Sequence, residues 1–369
     1  MPCDHGLSPL IFKPIFKEKV WGGRAIEQML NKNIPKGLCI GESWELSAIP
    51  GDESKLRDGP YTGQSLSTIF TTEKERLVGH HDFPSFPLLY KFIDSNDKLS
   101  VQVHPGDKEA TNDTPAVFGK TECWFVVEAK PGAKVICGFK AGVGLQEVKD
   151  AIATSRLPEL CNYLPIKPGD VIFVPAGTVH ALLDGVLIYE VQQTSDTTFR
   201  LYDWGRIDKN GDSRPLHIQE SLQALDMKYH DKHTIAPVAV DREKPLYHAI
   251  RAVCRYFALE EYRGEAPSHY LLDSKNSFQV VTIIDGMLDY SGANGRERIA
   301  KGETALVPAC LGSLELNADG PVHFLVSYVP DIAQDVITPL REQGVSQEAI
   351  AGLGGNPFHN DVAAALQSK

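Results

Sequence analysis

Four polar residues in three segments of the chain could together hold a divalent transition metal. Gln102 and His104 alternate with apolar residues, so a strand over 99–105 would place both on one face, about 6.6 Å apart. Glu122 begins an apolar run, where a carboxylate is costly unless it is paired or bound to a metal. His180 closes the strand-like, glycine-containing run 169–180.

This set contains two imidazoles, one carboxylate and one amide oxygen, and no thiolate. Such nitrogen and oxygen donors suit Zn²⁺ and also accept Mn²⁺, Co²⁺ or Fe²⁺. With Glu122 as the one charged ligand, the bound ion would keep a net positive charge, which favours an oxyanion. Two plainer interpretations stay open: His180 could be a hydrogen-bonded core histidine, and Gln102 and His104 could face solvent.

Short strands are the elements that would position these residues. Apolar runs separated by Gly and Pro predict strands over 88–93, 99–103, 123–128, 134–139, 170–174 and 185–192. Apolar residues at near-helical spacing predict one helix over 144–157, as a cover on the flank of the sheets, and a second over 217–229. The polar stretch that follows, to about Pro245, is predicted to be a linker.

An internal repeat indicates two similar β units. Residues 167–180 align without gaps on residues 300–313, and the alignment sets His180 opposite Ser313. A serine hydroxyl cannot replace an imidazole as a ligand to such a metal. We therefore expect the first unit alone to bind metal, with one ion per chain.

The fold class predicted from these patterns is mainly β, with two similar β-barrel domains and flanking helices. Residues 169–180 resemble the second half of the cupin signature, and this resemblance implies that the barrels are of the cupin (jelly-roll) type. The predicted N-terminal catalytic, metal-binding domain spans 1–235 and carries the helical cover at about 142–160. A degenerate C-terminal domain without metal follows at 236–330. A helical tail, to which we assign no function, is predicted over 331–369.

Charge and cysteine content narrow the partner and the compartment. The chain has 37 basic and 48 acidic side chains, a formal net charge of -11 and no long basic run, which argues against nucleic-acid binding. Its seven cysteines are scattered without a C-x-x-C pair, and no apolar run has membrane-spanning length. We expect a cytoplasmic protein with a small-molecule partner, and no nucleic-acid or membrane partner. Because an acidic protein that binds an anion needs local positive charge, Arg200 and Arg206 are of interest.

Four segments closely resemble the type I mannose-6-phosphate isomerases, and residues 169–180 resemble the second half of the cupin signature. The four segments are PLLYKF at 87–92, LSVQVHP at 99–105, GKTECW at 119–124 and QTSDTTFRLYDW at 193–204. The resemblance covers residues 13–206 and continues more weakly to Pro330. The short stretch between Glu122 and His180 is similar to the compact bacterial form of the family.

The resemblance implies an enzyme of mannose metabolism that interconverts D-mannose 6-phosphate and D-fructose 6-phosphate by zinc-assisted proton transfer through a cis-enediol. It implies the same four metal ligands and an active-site arginine at Arg200. It points to Ser100 and Arg206 as contacts for the substrate phosphate. Lys120, which we prefer, or Asp196 would transfer the proton. We expect a monomer and leave a homo-oligomer open.

Two other functions remain open at this point. A non-catalytic cupin could bind a sugar phosphate and regulate a partner, but it would not need Arg200, Lys120 or Asp196. An iron-dependent oxygenase could use the two histidines and the glutamate as a facial triad. That second function leaves Gln102 as a fourth ligand unexplained.

Overall fold

The computed structural model describes residues 7–113, 118–207, 211–241, 246–265, 267–273, 277–292 and 295–367. These residues form 25 strands and eight α-helices, so the predicted mainly β class is confirmed. The strands make four antiparallel sheets and one two-stranded ribbon. None of the described helices is long and apolar enough to cross a membrane.

The strands fall into two groups along the chain. The first group is β1 (Leu10–Lys13), β2 (Ile15–Gly23), β3 (Ile40–Leu46), β4 (Ala48–Ile49), β5 (Asp52–Glu53), β6 (Lys55–Leu56), β7 (Leu88–Ser95), β8 (Val101–Val103), β9 (Glu122–Ala129), β10 (Lys134–Phe139), β11 (Cys161–Pro165), β12 (Val171–Val174), β13 (His180–Leu182), β14 (Val186–Gln193) and β15 (Phe199–Tyr202). The second group is β16 (Val238–Asp241), β17 (Leu246–Val253), β18 (Ala258–Gly264), β19 (Ser268–Asp273), β20 (Gln279–Asp285), β21 (Met287–Gly292), β22 (Gly295–Ala300), β23 (Thr304–Val307), β24 (Ser313–Ala318) and β25 (Val322–Tyr328).

The helices lie between and after these strands. They are α1 (Ala25–Leu30), α2 (Leu66–Val78), α3 (Asp107–Asp113), α4 (Leu145–Ala153), α5 (Ile218–Ala224), α6 (Thr338–Glu342), α7 (Gln347–Gly352) and α8 (Asp361–Gln367). Two 3₁₀ turns, Leu157–Leu160 and Ala309–Leu311, and a π-helical turn, Ile332–Ile337, complete the described helical structure. Helices therefore occupy much of the predicted C-terminal tail.

Two sheets form a first sandwich. One has the strand order β12-β9-β14-β7-β3-β2 and the other β11-β10-β13-β8-β15. Side chains from both sheets share one buried cluster, in which Trp124 and Ile188 meet Val135 and Leu182. The outer face of the five-stranded sheet is covered at Val148 by α4, which lies inside the predicted helical cover.

The remaining two large sheets form a second sandwich. Their strand orders are β16-β17-β18-β25-β20-β23-β1-β6 and β19-β24-β21-β22. Phe324 from the first of these sheets and Leu316 from the second lie in the same buried cluster. The N-terminal strand β1 thus joins the second sandwich, although it belongs to the range predicted for the first domain. The predicted boundary at 235 and 236 stays a prediction.

The six-stranded sheet is buried on both faces, because the second sandwich packs on the face that the five-stranded sheet leaves free. Every residue of β7 and β14 is buried, as expected for a sheet covered on both sides. Across this interface Thr282 donates a hydrogen bond to the Tyr189 hydroxyl at 2.9 Å. The first sandwich therefore rests on a second β unit.

The structure corrects two local predictions and adds one helix. The helix expected over 217–229 ends at Ala224, because Leu225 has extended φ/ψ and the Asp226 N–H donates to Gly177 O at 2.8 Å. The stretch predicted to be a linker contains the strand β16, which pairs with β17. The helix α2, which is kinked at Glu73, was not predicted, although Leu66, Ile69 and Phe70 have helical spacing.

Candidate metal centre and substrate cavity

The candidate ligands come from both sheets of the first sandwich and meet between them. Gln102 on β8 pairs directly with His180, the first residue of β13, in the five-stranded sheet. Glu122 begins β9 in the six-stranded sheet, opposite Val174 on β12. His104 follows β8 by one residue. The period of two expected from the sequence therefore brings the predicted residues together.

His104, Glu122 and His180 are buried, and one ligand atom from each lies within 4.8 Å of the other two. Each carboxylate oxygen of Glu122 is 3.5 Å from the Nε2 atom of one imidazole. The Nδ1 atom of His104 lies 2.8 Å from Thr197 O, and that of His180 lies 2.8 Å from Thr178 O. Since a carbonyl oxygen accepts only, Nδ1 carries the proton in both rings, and the Nε2 lone pairs point towards Glu122.

Burial favours the protonation states that a metal ligand needs. It lowers the pKa of His104 to about 3, with the Lys120 ammonium as the second cause, and it also lowers the pKa of His180. Burial alone would raise the pKa of Glu122, but the Lys120 ammonium and the two imidazoles hold it well below its usual value. Both rings are therefore neutral and the carboxyl is ionised at neutral pH.

Gln102 completes the set of four predicted ligands. Its amide nitrogen lies 3.3 Å from His180 Nε2, and its amide oxygen accepts a hydrogen bond from Ser100 Oγ at 3.1 Å. Rotation of the amide group would exchange these two atoms and present the oxygen to the imidazole. The donor set thus fits a divalent metal of the zinc type.

Lys120 is placed directly at this centre. Its Nζ atom lies 2.8 Å from Glu122 Oε2 and 3.0 Å from His104 Nε2, in a buried position. Burial would lower its pKa, but the carboxylates of Glu122 and Glu190 raise it above the usual value. The ammonium therefore supplies positive charge to the same donors that would bind a metal.

A cavity of about 290 Å³ opens beside the centre. Its walls include the predicted residues Ser100, Gln102, Lys120, Glu122, His180, Asp196 and Arg200. Arg200 is half-buried, and its Nη1 donates to Pro215 O at 2.8 Å. Candidate metal ligands, a guanidinium and two candidate proton-transfer groups therefore face one cavity, as expected for a small-molecule site.

Arg206, predicted to contact a phosphate, is placed differently. Its guanidinium donates to Asp97 Oδ2 at 2.8 Å, to Lys98 O at 2.7 Å and to Asp203 Oδ1 at 3.3 Å. It does not belong to the cavity wall among the residues that the structure describes. Its predicted phosphate contact stays a prediction.

Comparison with known proteins agrees with this geometry. Residues 10–131 match the family described as "Phosphomannose isomerase type I, catalytic domain". Mannose-6-phosphate isomerase ManA of Bacillus subtilis is 33% identical to this chain, over 87% of the chain and 99% of the relative. The chain belongs to the type I phosphomannose isomerase family.

Other members of the family support the assignment. Mannose-6-phosphate isomerase of Streptococcus mutans is 32% identical, over 84% of this chain and 96% of its own length. The crystal structure of mannose 6-phosphate isomerase from Bacillus subtilis superposes with a TM-score of 0.79 at 31% identity, covering 87% of this chain and 99% of that one. The predicted family is thereby confirmed.

Three basic residues of the cavity were not predicted for this type I phosphomannose isomerase: Lys19, Lys91 and Arg214. Lys91 could have been predicted from the sequence. A lysine inside the apolar strand 88–93 needs a charged or polar partner, as the Glu122 carboxylate does. In the structure its Nζ lies 3.6 Å from Glu190 Oε1 and 4.7 Å from the centroid of the Trp44 ring. Lys19 and Arg214 lie in segments whose sequence gives no such signal.

Proposed function

We propose that this chain is a mannose-6-phosphate isomerase that interconverts D-mannose 6-phosphate and D-fructose 6-phosphate. The observation that carries the proposal is the buried group His104, Glu122 and His180 beside a cavity lined by Arg200. The family relatives from Bacillus subtilis and Streptococcus mutans bear the name of this activity. A non-catalytic sugar-phosphate protein would not need Arg200, Lys120 or Asp196 beside this group.

We propose Zn²⁺ as the resident metal, held by Gln102, His104, Glu122 and His180. Two neutral imidazoles, one carboxylate and one amide oxygen suit it, and the rings are already oriented through their Nδ1 atoms. When bound, the metal supplies Lewis-acid polarisation of the sugar carbonyl. One such ion per chain is expected.

Arg200 is the residue proposed to stabilise the negative charge that develops on the substrate oxygens. A guanidinium stays charged at every relevant pH, and a half-buried one acts in a medium of lower dielectric constant than water. The contact of Nη1 with Pro215 O fixes its position before substrate arrives. Such a pre-oriented donor contributes about 3 to 4 kcal/mol to the transition state.

Lys120 or Asp196 would move the proton between C1 and C2 of the sugar through a cis-enediol. Both residues line the cavity, and Lys120 is preferred because its Nζ also lies within hydrogen-bond distance of the candidate ligands. Asp196 could orient the cationic groups instead. Ser100, also on the wall, is proposed to contact the substrate.

The same proposal includes the roles of the two sandwiches, the oligomeric state, the compartment and the small-molecule partner. We propose that catalysis belongs to the first sandwich, that the second contributes no metal, and that the protein acts as a monomer in the cytoplasm. A sugar phosphate as small-molecule partner follows from the proposed reaction.

The experiment that tests this function follows mannose 6-phosphate by NMR in D₂O with the zinc-loaded chain. We expect fructose 6-phosphate to form, with solvent deuterium entering at the carbon that receives the proton. Substrate that binds without conversion would indicate a binding protein. Oxygen uptake without isomerisation would indicate an oxygenase.

A further inference from the structure

Two arginines share one wall of the substrate cavity. Arg200 lies on β15, and Arg214 lies in the segment that leads into α5. The segment is fixed to β15 at several points, since Arg200 Nη1 donates to Pro215 O at 2.8 Å and His217 N–H donates to Arg200 O at 2.8 Å. The two guanidinium groups are therefore held on the same side of the cavity before any ligand binds.

The charge of these two groups is only partly balanced within the described residues. Arg214 uses its Nε and Nη2 atoms for the Asp203 carboxylate, a pair that leaves Nη1 uncommitted. The Nε atom of Arg200 is buried without a hydrogen-bond partner. Burial, and then the positive charge of Arg214, lower the pKa of Arg200. An anionic substrate bound on this side of the cavity would lower the repulsion between the two cations.

The surroundings of Arg214 contrast with those of Arg206. Asp203 is buried and accepts hydrogen bonds from both arginines, so it links Arg214 on the cavity wall to Arg206, which does not line the cavity among the described residues. The Arg206 guanidinium donates hydrogen bonds to Asp97, the Lys98 carbonyl and Asp203. Arg206 therefore holds Asp203 in place, whereas Arg214 presents a guanidinium to the cavity.

We propose that Arg214 is the guanidinium that binds the phosphate group of the substrate, and that Asp203 and Arg206 are positioning residues. The inference rests on the proposed function for its ligand, a phosphate monoester. Two N–H groups of a guanidinium can bind two phosphate oxygens at once. The Nε and Nη2 atoms of Arg214 are held by Asp203, and its Nη1 atom stays available to the phosphate. This assignment gives Arg214 the contact that the sequence suggested for Arg206.

The test measures binding of glucitol 6-phosphate, which cannot isomerise, to the zinc-loaded protein by calorimetry. We expect Arg214→Gln to weaken binding about 10- to 100-fold, the range for losing a hydrogen bond to a charged group. Arg206→Gln should weaken it by about threefold or less, because it acts only through Asp203. Arg156→Gln, which removes the same charge from an exposed site, is the matched control.

A conservative variant and a kinetic readout separate binding from folding. Arg214→Lys keeps the charge without the fork, so it should recover part of the affinity while zinc content and melting temperature match the wild type. In the isomerase assay Arg214→Gln should raise KM more than it lowers kcat.

Wild-type affinity in Arg214→Gln, or a larger loss in Arg206→Gln than in Arg214→Gln, would overturn the assignment. If Arg214→Gln does not fold, full affinity in Arg214→Lys with weak binding in Arg206→Gln would overturn it too. Binding of glucitol 6-phosphate needs no turnover. A chain that binds it but does not isomerise mannose 6-phosphate would therefore refute the proposed isomerase function and leave the assignment of Arg214 intact.

Discussion

The two sandwiches use the same strand–turn–strand unit, yet among the described residues only the first gathers a group of side chains suited to a metal. β12 and β23 occupy matching positions in the repeat, and β13 and β24 follow them at the same distance. Each unit starts at a glycine with positive φ, 85° at Gly169 and 78° at Gly302, which a residue with a side chain rarely adopts. The backbone of the unit is therefore shared, and the side chain at its end differs: His180 in one and Ser313 in the other.

The strand registers identify which residues of the second unit stand at the positions of Glu122 and Gln102. Val174 on β12 lies opposite Glu122, and the equivalent residue on β23, Val307, lies opposite Gln279. His180 pairs with Gln102, whereas Ser313 pairs with Asp273. Among the described residues, His104, Glu122 and His180 are the one group suited to a metal.

Burial separates the two positions further. His180 is buried, but Ser313 and Asp273 are exposed. Gln279 is buried, and its Nε2 donates to Asp273 O at 2.9 Å. The comparison teaches that the fold supplies a frame and that three or four side chains decide whether the frame holds a metal.

The second sandwich also contacts the segment that precedes Glu122, through the side chain of Tyr256. Tyr256 donates to Asp107 Oδ2 at 2.6 Å, and Asp107 Oδ1 accepts from Gly119 N–H at 2.8 Å and from Gln193 Nε2 at 2.9 Å. Gln193 Oε1 in turn accepts from Thr121 N–H at 2.9 Å. The segment that carries Lys120 and leads to Glu122 is thus tied to the second sandwich.

The largest expected effect comes from removing the imidazole that distinguishes the two units. His180→Ala should lose zinc and isomerase activity together, because no side chain replaces the ligand. Zinc content by mass spectrometry and a coupled assay measure both. Ser313→Ala, the equivalent change in the second unit, should leave both unchanged. A His180→Ala protein that retains zinc would break the comparison.

Arg200 tests the chemistry of the first unit without touching the metal. Arg200→Ala should keep its zinc while kcat falls by about 10²- to 10³-fold, the usual cost of losing a donor to a developing oxyanion. Metal analysis and steady-state kinetics on the same preparation decide it. Normal turnover by a zinc-loaded Arg200→Ala protein would remove Arg200 from the mechanism.

Tyr256→Phe tests whether the second sandwich supports the first. Loss of its hydrogen bond to Asp107 should lower the free energy of unfolding by about 1 kcal/mol, while zinc content stays at one ion per chain. Urea unfolding and metal analysis measure these quantities. A Tyr256→Phe protein as stable as the wild type would show that the link contributes nothing measurable.

The smallest effect is expected when a histidine is placed in the second unit. Ser313→His should leave zinc at one ion per chain, because the position is exposed and the register offers Gln279 in place of a buried carboxylate. A zinc titration followed by calorimetry counts the tight sites. A second tight site would mean that the frame itself, and not the set of ligands, governs binding.

Much of the first sandwich could be predicted, because its strands are bounded by turn residues and its ligands follow a period of two. The strand expected over 134–139 matches β10, and the polar face of 99–105 does carry Gln102 and His104 to the centre. The repeat could be recognised because it depends on local glycine and proline positions.

Features set by distant contacts could not be predicted. α5 ends early because Asp226 bonds to Gly177 in the turn between β12 and β13, a contact that residues 217–229 do not encode. β1 pairs with β23 almost 300 positions away. Arg214 reaches the cavity through Asp203, so its place depends on tertiary structure and not on a local pattern.

The most direct test of the central claim is isomerisation of mannose 6-phosphate before chelation, after chelation and after zinc is restored. The metal content of each sample must be verified. We predict activity that disappears with the single zinc ion and returns when one equivalent is added back. Isomerisation by demonstrably metal-free protein would contradict the account.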